Sequence, residues 1–139
     1  MGDRINFGFT TETGDVLYLY SHWGASSWIK DLQDALSKAS GRFNDNSYAI
    51  RITTSQLIGE QWNQDLGYGF SINTIGDSDT DFAPIVDFKH DSVSVYEALN
   101  FGFIDPLIKI GLNEFIELDD LDVQGLLNDA MIERYGKND

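Results

Sequence analysis

His22, Trp23, Arg42, Tyr48, Arg51 and Tyr68 are the residues whose types suit recognition of a small anionic ligand. An arginine fork matches phosphate or carboxylate, a tyrosine face takes a base, and histidine can donate to either. Arg51 follows Tyr48 by three residues, so a helix places both on one side. The plainer alternative is structural. In it Arg42 pairs with Asp45, Asp45 and Ser47 cap the helix, and Arg51 covers a sheet edge.

Nucleophilic and metal chemistry find less support. Ser21 and His22 are neighbours on an expected strand and point to opposite faces, so they are not a dyad. No G-x-S-x-G elbow is present. The two histidines, His22 and His90, stand in unrelated contexts without an H-E-x-x-H motif, and there is no cysteine. Asp77-Ser78-Asp79-Thr80-Asp81 begins like a calcium loop. The sixth position is Phe82 instead of glycine and the twelfth is Phe88 instead of glutamate, so a solvated loop is expected. Gly67-Tyr68-Gly69 lacks both phosphate-loop patterns and marks a bend, a bulge or a close approach to the backbone. No catalytic residue, metal or cofactor is assigned. The enzyme alternative is a small hydrolase using His22 as acid–base with a nearby carboxylate.

Charge sharpens the choice of partner. The 139 residues carry 9 Lys+Arg against 23 Asp+Glu, a formal charge of −14. That argues against direct binding to a phosphate backbone, which needs a basic surface. Up to residue 59 the chain is nearly neutral, and it holds three of the four arginines there. Residues 60–139 hold 17 acidic and four basic residues. A small phosphate site in the first part is therefore compatible with the charge. The later acidic part suits solubility, or a surface offered to a basic protein. Glu117, Asp119, Asp120 and Asp122 bunch where a helix begins, as the helix dipole favours.

These residues must be positioned by local structure. Ile5, Phe7 and Phe9 alternate with Asn6 and Gly8, and Val16–Trp23 forms a second strand, so 4–23 reads as a hairpin. Ser26 or Ser27 caps a helix carrying Trp28, Ile29, Leu32, Ala35, Leu36 and Ala39, with Gly41 at its end. A second helix is expected over about 48–62, although Tyr48, Ile50, Ile52 and Thr54 also alternate like a strand. Gly67–Asn73 reads as a strand, Asn73–Ala83 as a polar loop, and Pro84–Lys89 with Ser92–Tyr96 as a hairpin. Asp105-Pro106 opens a helix bearing Leu107, Ile108, Leu112, Phe115 and Ile116. Asp122 caps a last helix with Val123, Leu126, Leu127, Ala130, Met131 and Tyr135 on one face. The order ββααβββαα predicts an α+β fold with a mainly antiparallel sheet of about five strands, two central helices and a C-terminal helical pair.

The string Tyr20-Ser21-His22-Trp23-Gly24, then Gly41-Arg42-Phe43-x-Asp45-x-x-Tyr48-x-x-Arg51, then Gly67-Tyr68-Gly69, resembles a family of small uncharacterised proteins of tailed bacteriophages. That family shows a YSHWGG strand end, an R-[FW]-x-D-x-x-Y-x-x-R segment and a later GYG. The resemblance covers roughly residues 4–97, and Ala25 stands where the second glycine is usual. It implies a phage-encoded accessory protein acting in the bacterial cytoplasm, without implying a known activity.

Together these readings predict one domain over 1–139, with a family-like core over 1–97 and an acidic helical extension over 98–139 packed on it. The expected function is counter-defence by binding a nucleotide-like signal without chemistry. The alternative is an acidic inhibitor or DNA mimic that blocks a basic host defence protein. No apolar stretch is long enough for a signal peptide or membrane span. Strand edges and the Tyr18/Tyr20 face offer routes to a homo-oligomer.

Overall fold

A computed structural model of the chain describes residues 2–98 and 105–136. The first apolar alternation forms β1 (Ile5–Thr10), which turns at Gly14 into β2 (Val16–Ser21) with Phe7 opposite Leu19. Two helices follow, α1 (Trp28–Ala39) and α2 (Asn46–Ile58). The chain then lays β3 (Tyr68–Ile72) beside β2 and β4 (Phe82–Asp87) beside β1. The later hairpin partner is β5 (Ser92–Glu97), followed by β6 (Ile108–Ile110), α3 (Leu112–Glu117) and α4 (Asp120–Tyr135).

The fold is α+β, with six strands in the order β3-β2-β1-β4-β5-β6. Every neighbouring pair is antiparallel except β1 with β4, which run parallel. The parallel pair arises because β4 returns, after the helices and β3, to the side of β1 that β2 leaves open. Gly8 lets this seam close: a Cβ there would meet Ile85 Cγ1 at 2.9 Å and Tyr18 at 3.1 Å.

One sheet face carries Ile5, Phe7, Phe9 and Leu19 into the helices, where Trp28, Ile29, Leu32, Leu36, Ala49 and Ile50 meet them. The same core takes in Phe115, Val123 and Leu127 from the acidic segment. On the other face Tyr18 is buried, and that burial pushes its hydroxyl pKa upward. Asn6 also lies there and holds the 73–81 loop, donating to the carbonyls of Gly76 and Asp77 and accepting from Gly76 N–H.

The expected elements shift in three places. The first is the segment after Pro106. It does not start a helix at Asp105; instead Ile108-Lys109-Ile110 pairs with Val95-Ser94-Val93. An apolar residue on each side of a lysine fits a strand as well as a helix, and the exposed edge of β5 decides between them. Asp105 is consequently no N-cap, and its carbonyl accepts from Arg134 Nη2 at 2.6 Å.

Second, α2 runs from Asn46 to Ile58, because Gly59 takes a positive φ of 63°. Trp62 thereby leaves the helix face and packs on Phe70 of β3. Third, α4 begins at Asp120 with Asp119 as N-cap, and of its expected apolar face only Val123 and Leu127 are buried. Leu126 and Tyr135 are exposed. The expected junction after Ala98 adjoins residues 99–104, which lie outside the described residues.

Candidate functional site

His22, Trp23 and Tyr68 come together at one end of the sheet. β2 ends at Ser21, and the next residue is tied to the turn before β3 by a hydrogen bond from His22 N–H to the Gly67 carbonyl at 2.8 Å. The Trp23 ring meets His22 edge-on at 5.6 Å and Tyr68 at 6.0 Å between centroids. His22 Nδ1 and Tyr20 Oη share a hydrogen bond of 2.8 Å. Trp23 remains half exposed. It walls a cleft of about 450 Å³ whose other lining residues are Gln61, Asn63, Gln64, Asp65 and Leu66.

Gly67 explains the first glycine of the Gly67-Tyr68-Gly69 string. Its φ is +104°, and a Cβ there would lie 2.0 Å from Trp23 Cζ3. The glycine is therefore reserved for the approach of the indole. Gly69 has open space around it.

Beside this cluster, Arg4 makes a two-pronged contact with Asp79, from Nε and from Nη2, each at 3.0 Å. Asp79 also accepts from Arg4 N–H at 2.8 Å. These bonds hold the Asp79 carboxyl down at about 2, and Arg4 is raised in turn. Asp77 reaches Arg4 Nη1 at 3.4 Å. The Asp77–Asp81 string thus clasps an arginine, and no group of three or more metal-ligating side chains occurs among the described residues.

Arg42, Tyr48 and Arg51 are placed elsewhere. The Arg42 guanidinium lies 4.7 Å over the Tyr48 ring and 3.7 Å from Asp45. The pairing of Arg42 with Asp45 is the structural alternative read from the sequence. Arg51 is exposed, one turn beyond Tyr48 on α2.

The start of α2 is fixed near the end of β1 by Asn46 Nδ2, which donates to the Thr10 carbonyl at 3.4 Å. His22 lies at the opposite end, where Asp3 N–H donates to its carbonyl at 2.7 Å. The six residues of β1 separate these ends by about 17 Å. The structure therefore gathers three of the six expected site residues around Trp23, which alone of them lines the cleft, and puts Arg42 and Tyr48 toward the far end of the sheet.

Sequence reasoning missed Arg4 and the amides Gln61, Asn63 and Gln64, and it read Tyr20 as part of a motif and Asp79 as part of a calcium-like loop, not as partners of His22 and Arg4. The amides were legible as a run, Gln61-Trp62-Asn63-Gln64, but nothing local tied that run to Trp23. Comparison with protein-family models, with curated proteins and with solved structures gives no match.

Proposed function

We propose that this chain is a non-enzymatic binding protein that takes a nucleotide-like ligand in the Trp23 cleft, with the base carrying the recognition. The observation behind this reading is the half-exposed Trp23 ring, held edge-on by His22 and Tyr68 and facing a cleft lined by three amide side chains. An indole face stacks a planar base, and amides match the donor and acceptor edges of a base. Arg4, Arg42 and Arg134 each lie against a carboxylate. The proposal therefore places recognition on stacking and amide hydrogen bonds ahead of a phosphate fork. With the phage-family resemblance, it makes the protein an accessory factor that sequesters a host nucleotide signal in the bacterial cytoplasm. No helix among the described residues is long and apolar enough to cross a membrane.

Calorimetry with a panel of nucleosides, mononucleotides and cyclic nucleotides tests the reading. Trp23→Ala should weaken binding by about 5- to 150-fold, at about 1–3 kcal/mol per stacked base. Binding should persist in the Arg42→Ala/Arg51→Ala double variant. Failure of the whole panel to bind, or binding indifferent to Trp23→Ala, overturns it.

A second reading rests on α4. Asp122, Asp129 and Glu133 are all exposed at spacings of seven and four residues, which puts them on one face, with exposed Leu126 between them. Such a stripe suits a basic, nucleic-acid-binding protein partner. Binding of that kind weakens steeply with salt. A partner captured independently of Asp122→Asn/Asp129→Asn/Glu133→Gln would remove this reading.

A further inference from the structure

We propose that the outer edge of β3 is a self-association surface, on which a second copy of this chain pairs antiparallel about a two-fold axis at Phe70. The inference rests on the strand edge and does not depend on the ligand reading, although the surface takes in Trp23 and Leu66, which also line the cleft.

The backbone comes first. The β2–β3 ladder is flanked by bonds from His22 N–H to the Gly67 carbonyl and from Asn73 N–H to the Val16 carbonyl. Bonded pairs alternate along an antiparallel ladder, so Gly67, Gly69, Ser71 and Asn73 face β2. Tyr68, Phe70 and Ile72 then turn their N–H and C=O groups outward, and no strand among the described residues takes them. A two-fold at Phe70 sets it opposite the partner's Phe70 and sets Tyr68 opposite the partner's Ile72. The three outward N–H groups of each copy then meet the three outward carbonyls of the other.

The side chains and charge agree with that geometry. Phe70 and Ile72 are about half exposed, as are Trp62, whose ring lies tilted against Phe70, and Trp23, while Leu66 is more exposed still. At on the order of 100 Å² of exposed surface each, these five side chains offer on the order of 1,000 Å² over two copies. That is the low end of specific interfaces, so a reversible dimer is expected.

Residues 66–76 contain no charged side chain in a chain of net −14. Two copies therefore meet there without opposing carboxylates. The other sheet edge is protected in the usual manner: β6 has only three residues, with exposed Lys109 at its centre.

Sedimentation equilibrium of the full chain tests the proposal. The expected mass rises with concentration from 15.6 kDa to twice that value. Salt should strengthen the association by screening the repulsion between two acidic chains. Phe70→Asp, which opposes two carboxylates at the axis, and Ile72→Pro, which removes one outward N–H, should each give a monomer with an unchanged circular dichroism spectrum. Lys109→Asp at the opposite edge should leave the association as it is. A wild-type chain that stays monomeric throughout the micromolar range overturns the proposal. So does a dimer that survives either β3 variant.

Discussion

The Trp23 indole lies against Gly67 so closely that a single methyl group on that glycine would overlap the ring at 2.0 Å. This contact joins the end of β2 to the start of β3, and it sets the angle at which Trp23 faces the cleft. Gly67→Ala must displace the indole and also strain a φ of +104°. We expect a loss of about 1–3 kcal/mol in urea unfolding, with an altered Trp23 fluorescence maximum. Gly69→Ala, with open space and no positive φ, should stay within about 0.5 kcal/mol.

The Arg4–Asp79 contact should make stability fall at low pH. Asp79 is held at about 2, against an ordinary value of 3.8, chiefly by the side-chain hydrogen bonds from Arg4. Its folded pKa is below its unfolded one, so the contribution is full above the ordinary value and is lost as pH falls toward 2. Urea midpoints of Asp79→Asn should therefore show a shallower decline across that interval than those of the wild type. An unchanged pH profile would show that the clasp does not form in solution.

Gln33 fastens α1 to the end of α3. Its buried amide donates to the carbonyls of Phe115 at 2.9 Å and Leu118 at 2.7 Å. Gln33→Leu keeps an apolar stem but leaves both carbonyls without that donor. The expected loss is about 1–3 kcal/mol in chemical denaturation. Lys38→Ala, on the exposed face of the same helix, should change stability by less than about 0.5 kcal/mol.

Glu97 anchors the end of α4 to β5. Arg134 Nη1 donates to it at 2.6 Å and the Tyr135 hydroxyl at 2.6–2.7 Å. Glu97 is buried, so Glu97→Ala leaves a largely shielded guanidinium without its counter-charge. The expected cost is about 3 kcal/mol. Hydrogen exchange should report it first, as faster exchange in the last turns of α4 while β1 stays protected.

Much of the fold was legible because its signals are local. The two-residue alternation of Ile5, Phe7 and Phe9 and the helical spacing of Leu32, Ala35, Leu36 and Ala39 place β1 and α1 within a residue or two of their observed bounds. Ile108-Lys109-Ile110 was not legible, because three residues carry no period of their own and become a strand only by pairing with Val93–Val95. The exit of Trp62 from the helix pattern likewise depended on the backbone turn at Gly59 and on Phe70, eight residues further on.

For the candidate site, the sequence by itself determined which residue types were available, and that the arginines cluster in a nearly neutral first part. It also determined that His22 and Trp23 stand at a strand end. Only the tertiary structure decided which of them meet. Arg42, in the turn before α2, lies over Tyr48 in α2's first turn, while His22 and Trp23 follow the far end of β2, and the length of β1 holds the two groups apart. Sequence spacing fixes direction within one helix or strand. Distance between elements is set by hydrogen bonds and packing among residues tens of positions apart, such as Asn46 to Thr10 and Trp23 to Gly67.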